Sequence, residues 1–254
     1  DLPISRPRPL WSEQKPADWW TATNMAVAGL NVNHRHAVKA VGLSGQMHGA
    51  TLLDKALNPL RPAILWNDGR SLEEASALQE KEPDFVEKGG NLVMPGFTAP
   101  KLEWVRRHEP EIFAKVAKVL LPKDYVRLRM TGELASDMSD SAGTLWMDVA
   151  GRKWHEPLLD ACGLTVDHMP SLHEGVEETG ILRQEAAEAW GMDRVPVVAG
   201  GGGAALVEYV SARRRAGRRL HAELRQHLSL LARPLLPRLG IDEARRQGRI
   251  CVRR

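Results

Sequence analysis

The sequence predicts an α/β layer architecture, and three observations predict it. Apolar segments of strand length alternate with helical segments along the first 200 residues. Strands end at Gly-flanked polar clusters twice within about thirty residues, after residue 43 and at 67–70. The composition, 43% apolar and 26% charged over 254 residues, supplies a core for one or two domains. It also excludes a wholly disordered chain, a collagen-like repeat and a disulfide scaffold.

In chain order, a helix is predicted from residue 16 to about 29. Ser12 or a following polar residue can cap it, and Pro16 suits a first turn, where its missing N–H would have no partner anyway. Residues 37–43 read as a strand, followed by Gly45-Gln46-Met47-His48-Gly49, and residues 50–53 and 62–66 read as two more strands separated by a turn. Beyond Trp66 the pattern is mainly helical, at 71–80, 100–107, 109–118 and 123–130, with Gly132 stopping the last. Residues 138–148 suggest a strand region, 156–162 and 184–190 two helices, and 195–199 a buried strand running into Gly200-Gly201-Gly202-Gly203. Residues 207–231 permit a helix, with Leu220, Leu224, Leu228 and Leu231 on one face.

The formal net charge of +3 conceals two unlike regions. Residues 204–254 hold thirteen arginines, no lysine and four acids, a balance of +9 that leaves −6 for residues 1–203. All eight tryptophans and all three phenylalanines precede residue 204. We therefore divide the chain into a body, 1–203, and an Arg-rich tail, 204–254. Clustered guanidinium groups bind phosphate with steep salt dependence, so one reading of the tail is a nucleic-acid or polyanion arm. Its bias to Arg, Leu, Ala, Gly and Pro favours the other, translation of GC-rich DNA in a shifted frame. Nucleic acid is accordingly not the expected partner.

Cys162 and Cys251 form neither a metal cluster nor a disulfide framework, so a reducing cytoplasm is the default location. No apolar run approaches the roughly 20 residues that span a bilayer, and no membrane partner is expected. The chain starts at Asp1 before a Pro-rich stretch and is expected to begin part-way through a larger protein.

Three places could carry chemistry. Gln46-Met47-His48-Gly49 sits at a strand end, where ligands of open α/β sheets bind, although a lone histidine there also reads as a hydrogen-bonded structural residue. Trp66-Asn67-Asp68-Gly69-Arg70 offers an aromatic face for sugar CH groups and polar side chains for hydroxyls; it also reads as an Asp-Gly turn with an Asp68–Arg70 surface pair. The glycines at 200–203 can present amides to a phosphate or serve as a linker. Asp124 is expected to cap a helix, and Asp137 and Asp140 to lie solvated in a loop.

Four long motifs stand in order: Ser5-Arg6-Pro7-Arg8-Pro9-Leu10-Trp11-Ser12-Glu13-Gln14, Ser44-Gly45-Gln46-Met47-His48-Gly49-Ala50, Pro62-Ala63-Ile64-Leu65-Trp66-Asn67-Asp68-Gly69-Arg70 and Leu121-Pro122-Lys123-Asp124-Tyr125. With them stands Gly96-Phe97-Thr98-Ala99-Pro100-Lys101-Leu102-Glu103-Trp104-Val105-Arg106-Arg107-His108. From about Ile4 to Gly202 the chain resembles the FGGY carbohydrate kinases, whose first signature the last segment resembles. The resemblance implies an actin-like ATPase fold of two ribonuclease-H-like domains, with sugar and ATP meeting in the cleft between them. It implies Mg-ATP-dependent phosphorylation of D-xylulose at its 5-hydroxyl, with Met47 and His48 matching the family's sugar-contacting pair. Gln46, Trp66, Asp68 and Arg70 carry over as further pocket residues.

The chain also departs from the family. The resemblance implies an amino-terminal strand hairpin with an Asp-Leu-Gly-Thr phosphate loop before Ile4, and Asp-Asn after Gly202, where Gly203-Ala204 stand. The second domain is not matched either. The body is therefore expected to be an incomplete sugar-binding domain that does not turn over ATP unaided and contributes no catalytic, nucleotide or metal residues. Missing the first strands of the family's fold would leave a sheet edge or face uncovered, so the fragment is expected to fold poorly. A complementing chain is unknown, and a remnant without ligand is the remaining alternative.

Overall fold

In the computed structural model, which describes residues 2–200, strands and helices alternate around several small sheets. The chain runs β1 (Glu13–Gln14), α1 (Pro16–Ala28), α2 (Val32–Ala37), β2 (Val41–Gly42), β3 (Thr51–Leu53) and β4 (Ala63–Ile64), then α3 (Leu72–Lys81), α4 (Asp84–Glu87), α5 (Thr98–His108) and α6 (Pro110–Phe113). Next come β5 (Lys118–Leu120), α7 (Pro122–Thr131), β6 (Ala135–Asp137) and α8 (Met138–Ser141), and a 3-10 turn at Ala142–Thr144. The hairpin β7 (Met147–Asp148) and β8 (Lys153–Trp154) precedes α9 (Glu156–Ala161), β9 (Ser171–His173), β10 (Glu178–Ile181), α10 (Gln184–Trp190) and β11 (Pro196–Val198).

The three-stranded sheet has the order β10-β11-β2; β11 runs antiparallel to β10 and parallel to β2, with Val41 opposite Val197. β3 and β5 pair antiparallel, with Leu52 opposite Val119, and β6 pairs parallel with β9. This is the α/β class that the alternation predicts.

Several boundaries move for identifiable reasons. α1 starts with Pro16 in its first turn, but its N-cap is Lys15, without a side-chain cap; Ser12 is buried instead, its amide held by Asp68. Asn31 accepts from the Asn33 amide and starts α2, so only Val41–Gly42 of the expected strand is paired. The expected helix over 109–118 stops at Phe113, because Val119 and Leu120 are drawn into the core as a strand beside β3. Residues 138–148 open as a helix, Asp137 accepting from the Asp140 amide as its cap. Gly132 ends α7 as expected, at φ +88°, where a missing Cβ removes the steric penalty.

The largest apolar cluster gathers α3, α5 and α9 around Trp146 and Leu102. Its buried Cys162 takes the Trp146 indole N–H at 3.4 Å, and burial pushes the thiol up to about 12. A second cluster (Trp19, Leu53, Leu65, Leu120, Tyr125, Leu128) and a third (Met130, Leu182, Trp190, Val197) both include residues of α7. Eight of its ten residues are buried, so its charged side chains must find partners inside. Among the described residues no helix is long and apolar enough to cross a membrane. The Arg-rich tail, the helix expected over 207–231 and the glycines after Gly200 lie outside the described residues.

Candidate functional site

The segment after β2 lies directly on the first turn of α7. A Cβ on Gly45 would stand 3.1 Å from the Lys123 Cβ, and one on Gly49 would overlap the Pro122 ring. His48 follows at φ +60°, in the left-handed region. Its carbonyl accepts from Lys101 Nζ at 2.8 Å and Thr98 Oγ1 at 3.2 Å, and its Nδ1 donates to the Gly143 carbonyl at 2.9 Å. A carbonyl only accepts, so that bond assigns the ring proton to Nδ1 and leaves Nε2 as a lone-pair acceptor. Phe97 meets the imidazole edge to face at 4.7 Å, and any side chain at Gly143 would collide with it. Burial first, and then the Lys101 charge, lower the His48 pKa to about 4, so the ring is neutral at neutral pH. Met47 and His48 are half-buried, and the Gln46 amide donates to Gln14 Oε1 at 2.8 Å.

The second cluster is divided. Trp66 is 55% exposed, while Asp68 is 2% exposed. The Asp68 carboxylate accepts the Ser12 amide at 2.6 Å and the Arg70 guanidinium bidentately at 2.9 and 2.7 Å. Arg70 also stacks over Trp11 at 3.7 Å and reaches Glu13 at 2.8 Å. The expected surface pair is thus a buried one, sealed by two aromatic rings, Trp11 and Trp104. The turn at Gly96–Phe97 connects both places: Gly96 packs against the Trp66 carbonyl, and Phe97 against His48.

A third cluster has little sequence signal. The Lys123 ammonium lies 2.7 Å from Asp124, 2.7 Å from Asp137 and 3.2 Å from Asp140, all buried. Ser136 donates to Asp124 at 2.6 Å, and Arg127 binds the carbonyls of Val198 and Ala199, tying α7 to the end of β11. Asp124 is therefore a buried ion-pair member and not a cap, and Asp137 and Asp140 are not solvated: burial, and then Asp124 and Asp137, push Asp140 up to about 7 against the pull of Lys123. Lys123 is raised above the ordinary lysine range, because the three carboxylates outweigh its burial. Thr98 and Lys101 are legible in the sequence only as members of the 96–108 motif and Gly143 belongs to no motif; nothing in their residue types marks them as partners of His48.

A cavity of about 340 Å³ lies between α1, Ser44–Gln46 and the Lys123–Val126 turn of α7. Another of about 600 Å³ is lined by Trp20, Met25, Arg129, Arg183 and Trp190. Neither cavity is lined by Met47 or His48, whose side chains are half-buried; we term this pair the Met47–His48 shelf.

Residues 1–207 match the FGGY family of carbohydrate kinases, N-terminal domain. The chain belongs to the FGGY family. Among its FGGY relatives, the xylulose kinase of Escherichia coli is 62% identical over 202 residues, covering 79% of this chain and 42% of that protein. That of Klebsiella pneumoniae is 61% identical over 203 residues, with the same shares. A crystal structure of a xyloylose kinase from Brucella ovis superposes with a TM-score of 0.77 at 52% identity, over 80% of this chain and 42% of the other. The chain thus spans about 42% of the length of these relatives.

Proposed function

We propose that this FGGY chain provides the sugar-binding side of a xylulose kinase that transfers phosphate from ATP to D-xylulose in the cytoplasm, and that Met47 and His48 hold the sugar. The observation that carries the reading is the His48 ring: it is neutral, its Nδ1 proton is committed to Gly143, and its Nε2 is left as an acceptor on a half-exposed shelf. That nitrogen accepts a sugar hydroxyl, Met47 contributes a polarisable apolar contact, and Trp66 offers a face for the CH side of the chain. Gln46, fixed by Gln14, sets the entry of the shelf; Asp68 and Arg70 support the wall beneath. Phosphoryl transfer rests on positioning and charge stabilisation, so a rigid sugar shelf is a functional part in itself.

ATP would supply the phosphoryl group and a magnesium ion would neutralise its charge. The described residues do not fit that metal: Asp124, Asp137 and Asp140 converge on the Lys123 ammonium, which already occupies the centre a cation would take. The metal therefore has no assigned ligand here. The polyanion-arm reading rests on residues outside the described range, and no observation favours it.

Titration calorimetry of D-xylulose into the 254-residue chain tests the reading. Saturable binding of roughly millimolar strength is expected, about 4 kcal/mol from a few hydrogen bonds and one stacked face. His48→Ala should abolish it. Absence of heat with the folded wild-type chain would overturn the reading.

A further inference from the structure

Lys101 is fully buried in α5, yet among the described residues its ammonium is hydrogen-bonded to no carboxylate. It donates to two main-chain carbonyls, His48 at 2.8 Å and Gly96 at 2.7 Å. Burial brings the Lys101 pKa down to about 7; of the facing charges, Asp68 attracts the ammonium but is held by Arg70, and Arg70 itself repels it. A buried ammonium without its own counter-ion is costly, and an aliphatic side chain would fill a buried position in this helix at less expense. The two carbonyls that Lys101 joins belong to His48 and to the turn that carries Phe97, the two residues in ring contact.

We infer that Lys101 is a positioning residue of the sugar shelf: together with the Thr98 hydroxyl it clamps the His48 carbonyl, holding this non-glycine residue in its left-handed conformation with Nδ1 on Gly143 and Nε2 available to a hydroxyl. The inference rests on the reading of His48 as a sugar contact. A left-handed non-glycine residue is strained and persists only where its surroundings over-determine it. Here they do so through two donors on one oxygen, a carbonyl on the ring and an aromatic edge. The lysine has a second effect through space. Below neutral pH, where Lys101 is protonated, its charge adds to burial in holding the imidazole midpoint down, which preserves Nε2 as an acceptor.

The test follows the His48 ring by NMR and D-xylulose affinity by calorimetry, on the full chain. In Lys101→Met, removal of the charge should raise the His48 titration midpoint by about one pH unit from its value near 4. Sugar affinity should fall about tenfold as the carbonyl is released. Thr98→Val keeps the charge, so the midpoint should hold while affinity falls about twofold to fivefold. Unchanged ring titration and affinity in folded Lys101→Met would overturn the clamp; if that variant does not fold, an unchanged affinity in Thr98→Val would do so. Failure of the wild-type chain to bind D-xylulose would sink the sugar reading alone, because the ring titration in Lys101→Met still decides whether the lysine governs His48.

Discussion

The Met47–His48 shelf and the Asp68–Arg70 pair lie close in sequence and both have residue types suited to a polyol, yet the fold uses them in opposite ways. At His48 one ring nitrogen and the carbonyl are satisfied, and among the described residues Nε2 has no hydrogen-bond partner. At Asp68 both carboxylate oxygens are taken by Ser12 and Arg70, and Arg70 is closed over by Trp11. A ligand site needs polar groups that the fold has oriented and left available. A wall needs groups that satisfy each other.

The strongest way to break this contrast is to remove Asp68. Asp68→Ala leaves Arg70 buried beside Arg61 and Glu13 with its bidentate partner gone, and the Ser12 amide loses its acceptor. Losing one partner of a buried pair costs about 3–5 kcal/mol, so the melting temperature should fall steeply. His48→Ala, by contrast, should abolish sugar binding with a much smaller shift in melting temperature. If Asp68→Ala melts like the wild type but loses sugar affinity, Asp68 is a ligand contact and the contrast fails.

The Lys123 cluster sharpens the same distinction through pH. Asp140 has a folded-state pKa raised to about 7, above its ordinary value near 3.8. The stability it contributes is fully present below about pH 4 and is lost as pH rises through 7. Asp140→Asn cannot ionise and leaves Lys123 and Arg127 facing Asp124 and Asp137. Denaturant melts should therefore find the variant close to wild type near pH 4 and more stable by on the order of 2 kcal/mol at pH 8. A difference that does not change with pH would show that Asp140 is ionised throughout.

How much of this was legible follows from the kind of interaction. Local signals read well: Pro16 opening α1, Gly132 closing α7, and the strands at 50–53 and 62–66 that become β3 and β4. Elements set by distant partners did not. β5 exists because Val119 and Leu120 find β3, 65 residues and more away, and β6 because Ser136 finds Leu172. The proposed site shows the same split. Gln46, Met47 and His48 stood out by residue type at a glycine-flanked strand end, whereas Lys101 and Gly143 reach His48 only through tertiary folding, across 53 and 95 positions. Asp137 and Asp140 read as loop acids because nothing local announces that Lys123 will lie among them.

The smallest expected effect concerns Trp66, which separates the two halves of its own motif. Its ring is 55% exposed, and its backbone carbonyl, not its side chain, packs on Gly96. Trp66→Ala should therefore leave the melting temperature nearly unchanged, since little buried area is lost. Removing the aromatic face proposed to meet the sugar should weaken D-xylulose binding by about 1 kcal/mol, roughly fivefold. The backbone of residues 66–70 stays anchored through Asp68, so the loss would report on the ring alone. A Trp66→Ala chain with full sugar affinity would confine the shelf to Met47 and His48, and an exposed tryptophan beside it would then be no part of the sugar's surroundings.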